Sequence, residues 1–169
     1  MDASRYELLE RLVAAHAAAL VLYARQWCRA AEDVVQDALL QLMREPALPE
    51  RPVAWLFRVV RNRAISIGRS QRRRQRHEAA AAFEAAQCFE TSADDALDAA
   101  EAARALSELP ADLREVLVAR IWGGLSFEEI GELVGTSASS AHRQYRAGLT
   151  RLRERLNATC PKNGNSLKS

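Results

Sequence analysis

Apolar residues recur at helical spacing along most of this chain, and polar breaks divide them into a few helices. Leu9, Leu12, Val13, His16, Leu20, Tyr23 and Trp27 form the inward stripe of a first helix. Ser4 and Glu7 provide a capping box to open it, and it should run to about Cys28. His16 reads as a boundary core residue. A second helix, about Ala31 to Arg44, buries Val34, Val35, Ala38, Leu42 and Met43, and leaves Glu32, Asp33, Gln36, Asp37 and Gln41 on the opposite, acidic face. The stiff loop Pro46–Pro52 leads into a third helix, with Pro52 suited to its first position and an end near Arg76. Its core stripe is Leu56, Val59, Val60, Ala64 and Ile67, with Phe57 also expected inside. Arg58, Arg61, Asn62, Arg63 and Arg69 remain for the exterior, followed by Arg72, Arg73, Arg74 and Arg76.

The pattern then weakens. Ala79–Ala93 is low in complexity and has no apolar stripe beyond Phe83, which is the composition of a linker. Ser92 and Asp95 can cap a helix through Leu97 and Leu106. Pro110 breaks the chain and opens a helix bearing Leu113, Val116, Leu117, Ile121 and Trp122, which Gly123-Gly124 ends. Ser126 and Glu129 form a capping box for a short helix from Phe127, with Ile130, Leu133 and Val134 on its apolar face. Gly135 can take the left-handed conformation that stops it, and Ser137 can cap the next helix. That last helix packs through Ala141, Tyr145, Leu149, Leu152 and Leu156, while Ser139, Ser140, His142, Arg143 and Arg146 share the other face. Gly148 should loosen its middle by about 1 kcal/mol relative to Ala. Two helices joined by a short glycine-containing turn make a helix-turn-helix, whose second helix can enter the DNA major groove. An ordinary helical hairpin with a wet polar face fits the same pattern.

Seven Gly, five Pro and the near absence of β-branched runs among 169 residues point to an all-α chain of two small helical domains. No apolar run reaches the length of a membrane span, and the start lacks the order of a secretory signal, so a soluble cytoplasmic protein without stable membrane insertion is expected. Cys28, Cys88 and Cys160 are odd in number and far apart, which fits reduced thiols. They form no ligand spacing with His16, His77 or His142, so no metal or other cofactor is expected. Catalytic groupings and phosphate-binding glycine loops are likewise missing, which argues against an enzyme.

Charge adds what net charge hides. The total is +2, but residues 51–78 hold nine arginines against Glu78 alone, a balance of +8. Residues 79–115 hold nine acids against Arg104 and Arg114, a balance of −7. A basic block beside an acidic one fits a polyanion-binding surface next to a segment that stays off it. Arginines near aromatic rings suit melted DNA, because guanidinium groups neutralise phosphates while rings stack on bases for about 1–3 kcal/mol each.

The segments AEDVVQDALLQLMRE, AWLFRVVRNRAISIGRSQRRR and LSELPADLREVLVARIWGGLSFEEIGELVGTSASSAHRQYRAGLTRLRERL, in that order, resemble bacterial RNA polymerase sigma factors of the extracytoplasmic-function group. The resemblance covers about residues 5–156. It implies an N-terminal region 2-like domain (1–78), a flexible acidic linker (79–104), a C-terminal region 4-like helix-turn-helix domain (105–158) and a disordered tail (159–169). Asp33, Gln36 and Asp37 would bind core RNA polymerase. Trp55, Arg58, Arg61, Asn62 and Arg63 would melt and read the minus-ten promoter element, with a flipped base held near the Pro46–Pro52 loop. Ser139, Ser140, His142, Arg143 and Arg146 would read the minus-thirty-five element as duplex. The resemblance also implies an anti-sigma factor as partner, a monomer when free, and a linker that crosses the polymerase channel. Ser66 stands where many members have Asp, and Gln144 where Arg is frequent, so the promoter sequence does not carry over. The competing reading is an autonomous helix-turn-helix regulator that binds an operator.

Overall fold

The computed structural model describes residues 3–77 and 104–159, and every regular element in them is helical. Expectations that fall on residues 78–103, including the capping of a helix by Ser92 and Asp95, lie outside the described residues. The elements are α1 (Ala3–Ala24), α2 (Ala31–Arg44), α3 (Pro52–His77), α4 (Ala111–Ile121), α5 (Phe127–Val134) and α6 (Ala138–Thr159). A further helical turn at 104–107 precedes α4.

Helices α1, α2 and α3 pack against one another around Leu20, Tyr23, Val34, Leu42, Leu56, Phe57 and Val60, all of them sealed from solvent. Burying a side chain of this size contributes about 1.5–3 kcal/mol. Arg5 reaches from α1 to the end of α2 and donates to the carbonyls of Leu42 (3.3 Å), Met43 (3.5 Å) and Glu45, and to Pro46 (3.4 Å). A cation there answers the unpaired carbonyls and the negative end of the helix dipole. In the second half, α4 and α5 both rest on α6, and Val116, Leu117, Leu125, Ile130 and Ala141 fill the space between them. The buried residues of the two halves join into one cluster, with α4 resting on α1 and α5 on α3.

Several sequence expectations need correction. Helix α1 spans Ala3–Ala24, so Ser4 falls within its bounds. The helix ends at Ala24, and the chain tightens through Gln26 N–H to Tyr23 O (3.3 Å) and Trp27 N–H to Ala24 O (3.0 Å) before reaching Cys28. Val13 and Met43 are exposed, because the stripes of α1 and α2 are narrower than the apolar spacing suggests. Ile121 and Trp122 are exposed as well, while Val118 and Ala119 are buried in their stead. The core face of α4 is thus rotated from the expected one, because it must meet both α6 and the first half.

Candidate nucleic-acid interface

The helix-turn-helix follows its sequence closely. The Ser126 N–H donates to Glu129 Oε2 (2.8 Å) and the Glu129 N–H to Ser126 Oγ (3.2 Å), completing the capping box. Gly135 ends α5 at φ +78°, and its N–H and that of Thr136 both reach Gly131 O (2.9 and 2.8 Å). Gly131 is a residue that sequence reasoning missed. A Cβ there would stand 2.8 Å from Thr136 O and 3.1 Å from Ala138 N, so the turn closes only over a glycine. Ser137 then caps α6 through the Ser140 N–H (3.2 Å).

On α6, Ser139, His142, Arg143 and Arg146 are exposed, and Ser140 is partly so. The hydroxyls of Ser139 and Ser140 each lie 3.1 Å from Ser137 Oγ, and Arg143 Nη2 donates to Ser140 Oγ (3.0 Å). Behind them the Phe127 ring meets His142 edge-on at 4.9 Å and Tyr145 at 5.5 Å, with the Arg120 guanidinium 4.7 Å from its centre. Arg120 Nη1 also donates to Leu125 O (2.6 Å). Phe127 therefore fixes the angle between α5 and α6 and holds one side of the His142 ring. A short polar edge on a rigid two-helix frame has the size and donor set for base edges in a major groove.

The five candidate residues of α3 separate. By helical phase Trp55, Arg58 and Asn62 share a stripe that continues to Arg69 and Arg73. Arg58 and Asn62 are exposed, and Trp55 is partly buried against the core. Arg63 turns towards α2, and its Nη2 lies 2.8 Å from Asp37 Oδ2. Arg61 turns the other way, to the second half, where its Nε lies 2.5 Å from Glu115 Oε1. The expectation that Arg61 stays on the exterior of α3 therefore needs correction, because it is folded into the interface between the halves and is only 26% exposed.

Glu115, a residue of α4 to which sequence reasoning gave no role, also accepts the Tyr23 hydroxyl on the same oxygen (2.7 Å) and is itself buried. Burial works against the charge on Arg61, yet the Glu115 carboxylate outweighs it and raises the guanidinium pKa. Burial, followed by that carboxylate, pushes the Tyr23 phenol well above its ordinary value. Nothing in the spacing of Tyr23, Arg61 and Glu115 could have revealed this cluster, because it joins three separate helices.

On α2, Asp33, Gln36 and Asp37 are exposed at i, i+3 and i+4 and form one patch. Glu32 beside them pairs with Arg25 Nη2 (2.5 Å), and this hydrogen bond lowers its carboxyl pKa. Among the described residues no group of His, Cys, Asp and Glu could hold a metal ion, and no helix is long and apolar enough to cross a membrane.

An acidic patch on α2, the arginine-rich α3 and a helix-turn-helix thus stand on one all-helical frame. Residues 6–74 match the sigma-70 region 2 family and residues 99–152 the sigma-70 region 4 family. The RNA polymerase sigma factor CarQ of Myxococcus xanthus is 35% identical over 133 residues, which cover 75% of this chain and 74% of CarQ. The chain belongs to the sigma-70 family of RNA polymerase sigma factors. Among solved structures, the sigma factor RpoE in complex with the anti-sigma factor NepR from Bartonella quintana superposes with a TM-score of 0.70, at 24% identity over 89% of this chain and 97% of RpoE. CnrH in complex with the cytosolic domain of CnrY gives 0.59, at 25% identity over 90% of each chain.

Proposed function

We propose that this sigma factor divides promoter recognition between its two halves, and that it acts in the cytoplasm as a transient subunit of core RNA polymerase. Residues 1–78 act as the polymerase-binding and minus-ten unit, and 105–158 as the minus-thirty-five unit. The observation that carries this division is the chemical contrast between α3 and α6. Helix α3 offers a partly exposed indole beside a row of guanidinium groups, suited to unstacked bases and phosphates. Helix α6 offers a compact set of hydroxyl, imidazole and guanidinium donors, suited to base edges in duplex.

In this reading Trp55, Arg58, Asn62 and Arg63 hold melted minus-ten DNA, joined by Arg61 once it leaves Glu115. Extruding a base costs a few kcal/mol, which stacking and a pocket near the Pro46–Pro52 loop offset. Ser139, Ser140, His142, Arg143 and Arg146 read the minus-thirty-five element. Asp33, Gln36 and Asp37 dock on a basic polymerase surface, where like the rest of an acidic patch they set orientation and association rate. An anti-sigma factor restrains the chain; the support is its likeness to RpoE, solved in complex with NepR.

In-vitro transcription with purified core enzyme tests the whole reading. Transcripts should start at discrete promoters, with Arg143→Ala lowering minus-thirty-five discrimination and Asp33→Ala with Gln36→Ala weakening core association. An inert holoenzyme, or tight specific duplex binding by the chain without polymerase, would favour an autonomous regulator.

A further inference from the structure

Helix α2 ends without a glycine. At Glu45 the backbone turns to extended geometry (φ −60°, ψ 133°), which suits the residue before a proline, and the Glu45 N–H reaches Gln41 O and Leu42 O (3.2 and 3.3 Å). The carbonyls at this end are gathered by one cation from another helix. Arg5 Nη2 donates to Leu42 O, Met43 O and Glu45 O, and its Nη1 to Pro46 O, across 37–41 residues of chain. Arg5 is locally the wrong residue for its place. It stands in the first turn of α1, at the positive end of that helix's dipole, where a cation is disfavoured. A local rule broken in this way points to a role outside α1.

The loop that begins here has its own chemistry. Pro46, Pro49 and Pro52 restrict its φ angles and offer no N–H, so it is stiff along its length yet cannot tie itself down through those positions. Leu48 packs partly buried against the core. A stiff segment moves as a body about the point where it leaves the helix, and that point is the Glu45–Pro46 turn that Arg5 grips.

We propose that Arg5 is a positioning residue for the extruded minus-ten base: it fixes the direction in which the Pro46–Pro52 loop leaves α2, so that the pocket is formed before the strands part. Its guanidinium is occupied by carbonyls and need not touch DNA. The planar fork matters, because it reaches carbonyls on two sides at once, which the point charge of a lysine does not. Without Arg5 the turn keeps its prolines but loses its tie to α1, and the loop spreads over several directions. Only the fraction of chains with the loop in place then captures the base, and apparent affinity falls by that fraction. Docking on polymerase is a separate matter, since Asp33, Gln36 and Asp37 lie in the first two turns of α2, away from the end that Arg5 holds.

Capture of a base at this loop rests on the reading under Proposed function; the carbonyl clamp does not. The test uses the full chain bound to core polymerase and labelled fork oligonucleotides from a promoter mapped by in-vitro transcription. One fork carries intact single-stranded minus-ten sequence, and the others an abasic site at each position in turn. Wild type should bind about tenfold or more weakly when the captured base is missing. Arg5→Ala should bind the intact fork about tenfold more weakly than wild type, but the fork abasic at that position within about twofold of wild type. Arg5→Lys should recover part of the loss, and only on the intact fork. Core association of both variants should stay within about twofold of wild type, because the acidic patch is untouched. Should Arg5→Ala fail to melt cooperatively, Arg5→Lys carries the test through a smaller loss confined to the intact fork. An equal loss on both forks makes Arg5 a plain helix cap and overturns the proposal, and so does wild-type binding of the intact fork by Arg5→Ala. Failure of the underlying reading shows in wild type alone, as indifference to every abasic site, and removes this role of Arg5 with it.

Discussion

The backbone of Gly68 in α3 runs directly against the carbonyl of Trp27, so close that a Cβ on Gly68 would stand 2.3 Å from that oxygen. The contact is to main chain, which cannot swing aside as the end of a long side chain could. Gly68 is buried, and Trp27 ends the tight turn that leads from α1 towards α2. Helix α3 therefore seats on α1 only because this position lacks a side chain.

Gly68→Ala should lower stability by about 1–3 kcal/mol through overpacking, against the gain of about 1 kcal/mol that alanine brings to an exposed helix interior. Denaturant unfolding of the two proteins would measure it. A variant as stable as wild type would mean that α3 can shift away from Trp27 at little cost.

Glycine marks the boundary of what the sequence makes legible. Gly135 announces itself, since a helix-stop glycine two residues before the capping Ser137 has a local reason to be there, and it takes the left-handed φ of +78°. Gly148 does not. Local propensity reads it as a weak point in the last helix, whereas in the fold a Cβ there would stand 2.9 Å from Leu117 Cδ1, so it lets α6 close onto α4. The same contrast separates Ser126, whose capping partner is three residues away, from Glu115, whose partners Tyr23 and Arg61 are 92 and 54 residues away. Most helix limits, the helix-turn-helix and most core positions follow from spacing alone, although the end of α1 at Ala24 does not. The exposure of Val13, Met43, Ile121 and Trp122 does not, because it depends on which neighbours each helix meets.

Ser126→Ala removes one arm of the capping box and leaves the Glu129 N–H without its hydroxyl partner. A cap of this kind contributes about 1 kcal/mol. The loss should fall locally on α5, so hydrogen exchange should quicken in the first turn of that helix and binding to minus-thirty-five duplex should weaken, with core polymerase association unchanged. Equal loss of polymerase association would show that the helix-turn-helix is not an independent reading unit.

Tyr23 gives the chain an alkaline limit. Its phenol lies well above the value near 10 that it has when unfolded, because burial and Glu115 both oppose its ionisation. The folded chain thus holds this proton more tightly than the unfolded one. The stability linked to it is fully present below about pH 10 and is lost as the pH rises from there through the folded value, at up to about 1.4 kcal/mol per pH unit. Urea unfolding of wild type and Tyr23→Phe between pH 8 and 11.5 would expose the term, since the phenylalanine variant should lack that extra alkaline fall. Parallel curves would mean that the phenol reaches water without unfolding.

Arg63 and Asp37 meet at 2.8 Å across α2 and α3, with each side chain nearly half exposed. A pair so open to solvent contributes at most about 1 kcal/mol, so neither Asp37→Ala nor Arg63→Ala should change the melting temperature much. Their functional effects should part company. Asp37 lies in the patch with Asp33 and Gln36, so its loss should weaken association with core polymerase, while the loss of Arg63 should weaken capture of single-stranded minus-ten DNA by assembled holoenzyme. Because the two side chains hold each other, the proposed docking of Asp37 on polymerase would free Arg63 for DNA. The double variant should therefore deviate from additivity in fork binding but not in stability. Purely additive fork binding would remove the idea that docking on polymerase prepares α3 for the promoter.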